Sequence, residues 1–319
     1  MISEIFNKTR NFIYRNARPL DLTRWQYHFE NGNREAVLTA LSAYQNVDGG
    51  FGHALEPDSW NPNSSPIQTW AATEILKEID YNLSDKDHPI VIGILNYLDS
   101  GIHMYLNTWV GCIPTNNDYP HAFWWGCEKF PSDEVGYNPT AALAGFGLLY
   151  SEIDSSIYKK CELIAVEAVN KYMNENYLND MHEGLCYVRL MDSMEHCSMK
   201  QCSIEKVGII DLFDFTSFKA KLIKQVKYCI TQNTAEWETS YICKPSQFFN
   251  SVDSIFYEDN KALSEYECEY IIKTQLDDGS WNIPWGWNGY PEEWAISKNW
   301  WKANGAILNM LYLKGFRKL

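Results

Sequence analysis

The chain lacks an excess of positive charge. It has 27 Lys and Arg residues against 41 Asp and Glu, which gives a net charge of −14 and a pI near 4.9. A nucleic-acid surface needs a basic stripe to neutralise phosphates, and an anionic membrane attracts clustered basic residues. We therefore expect neither nucleic acid nor a membrane as a partner of this protein.

The chain also lacks an uncharged apolar run long enough to span a bilayer. The first residues, Met1-Ile2-Ser3-Glu4-Ile5-Phe6, do not show the basic segment and apolar run of a secretory leader. The nine cysteines are odd in number and scattered, which is typical of reduced thiols. These features predict a cytoplasmic protein.

Strand signals are few, and Leu185–Met191 is the best candidate for a strand, with a helix interrupted by a loop as the alternative. No Ser/Gly-rich linker or low-complexity tract divides the chain, so we expect one domain over residues 1–319. Helix signals dominate instead, with Ser65-Pro66-Ile67-Gln68 as a capping box. The predicted helices are Arg34–Gln45, the helix capped by Ser65, Pro89–Leu98, Thr140–Tyr150, Ile157–Asn176, Phe218–Gln232, Asn260–Gln275 and Asn299–Leu313.

One short phrase occurs twice, far apart in the chain. Gln45–Phe51 reads Q-N-V-D-G-G-F and Gln275–Trp281 reads Q-L-D-D-G-S-W, so the glutamine, aspartate, glycine and final aromatic keep the same offsets. Each copy ends a helix-like run. An internal repeat of this kind indicates one local structure used twice.

The two copies resemble the QW repeat of the terpenoid cyclase and prenyltransferase family, most clearly over residues 10–80 and 245–315. The chain looks like the short, single-toroid bacterial branch often labelled prenyltransferase-like. The resemblance implies an all-α fold, a single (α/α)6-type toroid. Twelve helices at about 25 residues per helix and loop fit a chain of this length.

The resemblance does not supply a mechanism, because the active-site strings of the characterised members are missing. The chain has no Asp-x-Asp-Asp acid, no Asp-Asp-x-x-Asp magnesium site, no Asp-x-Cys zinc pair and no Gly-Cys-Gly-Glu-Gln thioester. Fold analogy leaves the chemistry open. Candidate residues must therefore be chosen from their own chemistry.

Three carboxylates are candidate catalytic groups. Glu56 and Asp58 lie close together in the sequence after the first repeat, two nearby carboxylates can create an acid, and His53 is near enough to assist. Asp253 is a lone acid in an apolar stretch that would share a helix with Phe249 and Phe256. Desolvation there would make Asp253 a general acid. The alternative is that these acids bond turn amides or face solvent.

Aromatic residues cluster in two loops rich in glycine and proline. We predict that they bind a substrate, since aromatic rings stabilise a cation or stack on a sugar, and loops on a rigid scaffold commonly carry sites. Ordinary core packing is the alternative for each tryptophan. The predicted binding residues, with His53, are Tyr119, His121, Trp124, Trp125, Trp285, Trp287 and Trp294.

We predict no metal site and no cofactor. His182, Cys186, His196, Cys197 and Cys202 are potential zinc ligands, but their spacing does not match the common finger or ribbon patterns. Glu292-Glu293 follow the second aromatic cluster and would suit a glycosidase, although adjacent helical residues point apart. A solvated helix start is the simpler interpretation of that pair.

Three functions remain open from the sequence. The first is a cyclase- or prenyltransferase-like enzyme that acts on a small apolar, isoprenoid-type substrate in the central cavity. The second is a carbohydrate-active toroid, a hydrolase or lyase with stacking tryptophans and two carboxylates. The third is a non-catalytic binding or scaffold protein. Whether the chain is an enzyme, and its oligomeric state, are left open.

Overall fold

The computed structural model describes residues 2–80, 86–128, 136–201 and 209–319. Helices make up 62% of the structure, and eleven of them lie in these ranges. A two-stranded antiparallel hairpin, β1 (Met104–Tyr105) with β2 (Thr108–Trp109), is the one sheet within the same ranges. The prediction of an all-α protein is therefore confirmed. No described helix combines the length and the apolar composition needed to cross a bilayer.

The chain forms two compact units. The first unit contains Met1–Ala43, His121–Phe123 and Val226–Leu319, and the second contains Tyr44–Pro120 and Trp124–Gln225. The prediction of a single domain stays a prediction.

The first unit is built from five helices and two 3₁₀ turns, Thr234–Glu238 and Pro245–Gln247. Helix α11 is the longest and packs against α1, α2 and α10. Its buried residues, among them Ala303, Ala306, Ile307 and Met310, supply much of the core. The helices are α1 (Ile2–Asn16), α2 (Pro19–Phe29), α3 (Arg34–Ser42), α10 (Tyr257–Lys273) and α11 (Pro291–Gly315).

The core of the second unit contains a largely apolar helix, α6 (Thr140–Tyr150). Helix α6 is buried on almost every side, and its glycines permit close packing: a Cβ on Gly145 would lie 3.1 Å from Leu190 Cα, and one on Gly147 would meet Cys161. The other helices are α4 (Pro66–Glu78), α5 (Pro89–Ser100), α7 (Ser156–Asn174), α8 (Met181–Gln201) and α9 (Phe215–Cys229), which ends in the first unit.

Local capping explains where several of these helices begin. Ser65 accepts a hydrogen bond from the Gln68 N–H, Pro66 takes the first helical position of α4, and Ser155 accepts from the Tyr158 N–H to start α7. Helix α5 ends at Gly101, which has a φ of 71°. These boundaries agree with the predicted helices to within a few residues.

Of the two interpretations of Leu185–Met191, the strand is wrong, because these residues lie inside the uninterrupted helix α8. The segment is apolar because α8 packs closely on α6, so several successive side chains are buried. A short buried run cannot be assigned to strand or helix from its composition alone.

An ion pair joins α8 to α4, since Arg189 donates to Glu74 through Nε at 2.9 Å and Nη2 at 2.7 Å.

Candidate functional site

The first repeat closes a tight turn and holds it against a neighbouring helix. Gln45 Nε2 donates to the Gly49 carbonyl at 2.9 Å and to the Ile90 carbonyl, in the first turn of α5, at 3.0 Å. Within the turn, Asp48 Oδ1 accepts from the Gly50 N–H at 3.0 Å. Phe51, the aromatic residue that ends the phrase, is fully buried.

The second repeat adopts the same geometry. Gln275 Nε2 donates to the Gly279 carbonyl at 3.2 Å and to the Ile5 carbonyl, in the first turn of α1, at 3.1 Å. Asp278 Oδ1 accepts from the Ser280 N–H at 2.9 Å, and Trp281 is buried. The predicted shared local geometry of the two copies is confirmed.

Glycine is required at one position of each turn. Gly49 and Gly279 have φ values of 87° and 91°, and a Cβ on either would lie 2.1 Å from a helix carbonyl oxygen, that of Gly93 or Lys8. A side chain is excluded there by backbone conformation and by contact. The repeats therefore dock one helix against the next, and the glycine is the residue that makes this close approach possible.

The predicted acids Glu56 and Asp58 lie in a loop that is organised by Gln68. Gln68 Oε1 accepts from the Glu56 N–H at 2.7 Å, and its Nε2 donates to the Ser59 carbonyl at 2.9 Å. Glu56 Oε2 in turn accepts from the Asp58 N–H at 3.0 Å. Asp58 is 3% exposed and Glu56 is half-buried, so the two carboxylates differ in their access to water.

His53 is exposed, and its Nε2 lies 2.9 Å from Asn46 Oδ1. The loop that follows it is tied to residues 113–127 by asparagines, since Asn61 Nδ2 donates to Asn116 Oδ1 at 2.9 Å and Asn116 Nδ2 donates to the Trp125 carbonyl at 3.0 Å. Sequence reasoning did not single out these asparagines or Gln68. Their partners are mostly backbone groups brought close by the fold, so no spacing in the sequence reveals them.

The prediction for Asp253 is wrong in its premise. Residues 249–256 form turns before α10, so Phe249, Asp253 and Phe256 do not share a helical face. Asp253 is exposed, and its backbone N–H donates to Ser251 Oγ at 3.1 Å. An exposed carboxylate keeps its hydration, so the argument for a desolvated proton donor at this position does not hold.

Three of the predicted aromatic residues, Tyr119, Trp124 and Trp125, belong to the second unit and are half-buried. The Trp124 carbonyl accepts from Cys112 Sγ at 3.6 Å. The Nε1 atom of Trp125 is buried and has no hydrogen-bond partner. These contacts hold the backbone of the loop in place.

The other predicted loop aromatics, His121, Trp285, Trp287 and Trp294, belong to the first unit, and each of them pairs with another ring; we call these residues and their ring partners the aromatic surface. Three sets of rings make it: Trp285 lies 5.3 Å from Tyr241 and 5.3 Å from Trp301, Trp287 lies 5.7 Å from Trp294, and His121 lies 5.8 Å from Tyr290. Tyr241 is 51% exposed and Tyr290 is 40% exposed, whereas the other five rings are half-buried. The aromatic surface comprises His121, Tyr241, Trp285, Trp287, Tyr290, Trp294 and Trp301.

Tyr290 has a backbone conformation that is costly for its residue type. Its φ is 52° and its ψ is 58°, the left-handed region, at the residue that precedes α11. A bulky residue in this region is an outlier, and strain of this kind concentrates at functional sites. Pro291 follows at the first position of α11, so the strained residue directly precedes a conformationally restricted helix start.

Two carboxylates accompany the aromatic surface. Glu292 and Glu293 lie in the first turn of α11, where a negative charge is favoured by the helix dipole. Glu293 is half-buried and Glu292 is exposed. Neither has a hydrogen bond or ion pair to any residue that the structure describes.

Two acids with a raised pKa, the buried Glu267 and the half-buried Glu183, were not predicted from the sequence. Burial raises the pKa of Glu267, which is 1% exposed and accepts hydrogen bonds from the Ser246 N–H and hydroxyl at 2.9 and 2.5 Å. Burial also raises the pKa of Glu183, which accepts from the Tyr137 N–H at 2.9 Å. Both carboxylates anchor loop backbones onto helices, a role that local sequence does not show.

The potential zinc ligands His182, Cys186, His196 and Cys197 all lie on α8, and Cys202 lies outside the described residues. No group of three or more His, Cys, Asp or Glu side chains in the described ranges is arranged to hold a metal ion. Cys186 is fully buried and its Sγ lies 3.6 Å from Asn138 Oδ1.

No family model, no curated protein and no solved structure matches this chain.

Proposed function

We propose that the protein is a single (α/α)6-type toroid of the terpenoid cyclase and prenyltransferase-like kind. The two repeat turns support this proposal, because each docks on the first turn of a neighbouring helix with the same hydrogen bonds. The eleven described helices are close in number to the twelve that such a toroid needs.

We propose further that the aromatic surface binds a carbohydrate. The observation that carries this proposal is the strained Tyr290, one helical turn before Trp294, whose ring pairs with that of Trp287; all three residues are partly open to solvent. Partly exposed rings with rigid side chains present flat apolar faces, on which the C–H face of a sugar ring stacks, while solvent reaches the sugar hydroxyls. Such rings also lose little conformational entropy on binding.

Free carboxylates complete the chemistry of that surface. Carboxylate oxygens accept hydrogen bonds from sugar hydroxyls, and Glu292 and Glu293 have no other partner in the described part of the first unit. Adjacent residues on a helix point apart, so we expect one of the two to face the ligand. The half-buried Glu293 is the better placed of the pair.

The isoprenoid hypothesis loses its proton donor, since Asp253 is exposed. A carbocation also requires shielding from water, whereas Tyr241 is 51% exposed and Tyr290 is 40% exposed. An isoprenoid substrate therefore remains a weaker proposal than a sugar. Catalysis is a separate question, and product analysis after incubation with the bound sugar answers it.

The test is a titration of the intact protein, followed by tryptophan fluorescence, with cello-, xylo-, malto- and chito-oligosaccharides and with farnesol. We expect one of the sugars to bind, and Trp287→Ala and Trp294→Ala each to weaken it by at least about tenfold, which is about 1.4 kcal/mol. Tyr105→Ala removes a comparably exposed ring from the hairpin of the second unit and serves as the control.

Three other results would contradict the proposal. Binding of farnesol alone, lost in the same variants, would return the isoprenoid hypothesis to first place. Sugar binding that survives both tryptophan substitutions would place the site elsewhere. Binding of neither class of compound would favour the scaffold hypothesis.

A further inference from the structure

A polar groove of about 270 Å³ lies in the first unit, beside the second repeat turn. Helix α1 forms one wall, with Lys8, Asn11 and Arg15, and the turn residue Asp277 and Asn299 of α11 face it. None of these residues belongs to the aromatic surface. The groove is smaller than the roughly 300–1,000 Å³ pockets of drug-sized ligands, so its volume suits a small molecule.

Four side chains in this groove are uncommitted. Asn11, Arg15, Asp277 and Asn299 make no hydrogen bond or ion pair with the rest of the described chain. Their neighbours are engaged: Lys8 pairs with Glu4 at 3.2 Å, and Asp278 accepts from Lys302 at 3.0 Å. The groove thus offers one free guanidinium, one free carboxylate and two free amides.

The first repeat provides an internal reference for this groove. Gln45 bonds Ile90 and Gly49 contacts Gly93, whereas Gln275 bonds Ile5 and Gly279 contacts Lys8. Matched through these contacts, α1 and α5 align residue by residue. The aligned pairs are Lys8 with Gly93, Asn11 with Asn96, Arg15 with Ser100, and Asp277 with Val47.

Three of these four aligned pairs have a charged residue at the second repeat, Lys8, Arg15 or Asp277, and a small or apolar residue at the first. The docking geometry is the same in both, so these charges are not needed to dock a helix on the turn. Val47 is fully exposed, which shows that an apolar residue is accommodated at the position of Asp277. Arg15 and Asp277 are exposed, so both charged groups are accessible to a ligand.

We infer that this groove is a second carbohydrate site that takes one or two sugar units. A sugar hydroxyl both donates and accepts hydrogen bonds, so it matches a set of partners in which the guanidinium only donates, the carboxylate only accepts and the amides do both. The free charges of Arg15 and Asp277 cancel, which suits a neutral ligand. This inference rests on the proposed carbohydrate function and extends it to a surface with different residues.

The test follows the side-chain Nε–H signals of arginine by NMR while cellobiose, maltose or diacetylchitobiose is added to the full chain. The Arg15 signal is assigned as the one that Arg15→Ser removes. We expect one disaccharide to shift it, and Asp277→Val, which copies the first repeat, to weaken that binding by about tenfold. Lys261→Ser, an exposed cation of α10 outside the groove, is the control.

The same titration in Trp294→Ala separates this site from the aromatic surface. A shift of Arg15 that persists in Trp294→Ala supports a second site. If sugars bind at the aromatic surface and the Arg15 signal does not move, the groove inference is wrong while the proposed function stands. If the Arg15 signal responds to glycine, a zwitterion, and to no sugar, the ligand class is wrong. If Arg15 shifts with sugar and the tryptophan variants have no effect on any binding, the proposed aromatic site fails instead.

Discussion

The side chain of Gln275 donates a 3.1 Å hydrogen bond to the carbonyl oxygen of Ile5, and so joins the segment after α10 to the first turn of α1. The same amide donates to Thr9 Oγ1 at 2.9 Å. Since a net hydrogen bond contributes about 0.5–1.5 kcal/mol, the glutamine alone does not account for the docking. Gly279 also approaches the backbone of Lys8 closely, and this contact leads to the first prediction.

Gly279→Ala should destabilise the protein by at least about 1–3 kcal/mol. The residue has a φ of 91°, where a non-glycine residue is strained, and the new Cβ would lie 2.1 Å from the Lys8 carbonyl oxygen. The measurement is the midpoint of denaturation in guanidinium chloride.

Gly305→Ala is the matched control for that substitution. Gly305 is in the interior of α11, and nothing lies within 4 Å of its added Cβ. Because alanine favours the helix by about 1 kcal/mol over glycine, this variant should be as stable as the parent or more stable. Equal effects of the two substitutions would argue against the docking role of Gly279.

Trp281→Ala should cost about 3–5 kcal/mol of unfolding free energy. The ring is 7% exposed, and its Nε1–H donates to the Ile271 carbonyl at 2.9 Å, so the substitution leaves both a cavity and an unpaired acceptor. Trp287→Ala, at a half-buried position of the aromatic surface, should cost much less. Near-parental stability of Trp281→Ala would show that the turn does not depend on its ring.

Glu267→Gln should change how stability depends on pH. Burial raises the pKa of Glu267 above its ordinary value of 4.5, so the folded protein holds this proton more tightly than the unfolded chain does. The stabilisation from the proton is fully present below pH 4.5 and is lost as pH rises from there through the raised pKa. The variant lacks the titration, so the difference in stability between parent and variant should move in favour of the variant across that range.

The measurement for Glu267 is urea denaturation of both proteins at pH 4 and pH 7. A difference that is the same at both values would mean that Glu267 keeps an ordinary pKa. Asp214→Asn is a useful comparison, because hydrogen bonds from Ser217 lower the pKa of that exposed carboxylate. The contribution of Asp214 to stability is therefore lost as pH falls, whereas that of Glu267 is lost as pH rises.

Asp253→Asn should leave stability unchanged within about 0.5 kcal/mol and leave ligand binding unchanged. The carboxylate is exposed, and the hydrogen bond at this position uses the backbone N–H. Titration of the variant with the sugar that the parent binds checks the second part. A loss of binding would bring Asp253 back among the site residues.

Sequence reasoning succeeded where a signal was local. The capping serine and proline place the start of α4, and the two repeats gave both the turn geometry and the neighbouring-helix contacts. It failed where burial depends on distant partners. Glu267 lies in an apparently polar stretch of α10, and its burial follows from the loop that carries Ser246.

Asp253 shows the opposite error. Its apolar neighbours Phe249 and Phe256 are both buried, as the sequence suggested. The segment that buries both rings is a series of turns and not a helix, however, and the Asp253 side chain between them is exposed to solvent. A helical pattern of three positions is too short to decide between the two conformations.

The discontinuity of the first unit has a consequence for synthesis of the protein. Helices α1 and α2 are synthesised well before α11, which packs against both of them and follows only after the whole second unit. At the usual rate of translation this delay is roughly 10–40 s. During that time α11 is not yet available to pack against α2, whose Leu20 and Trp25 are fully buried in the finished structure. The nascent amino-terminal helices are therefore a natural substrate for chaperones that hold exposed apolar surface.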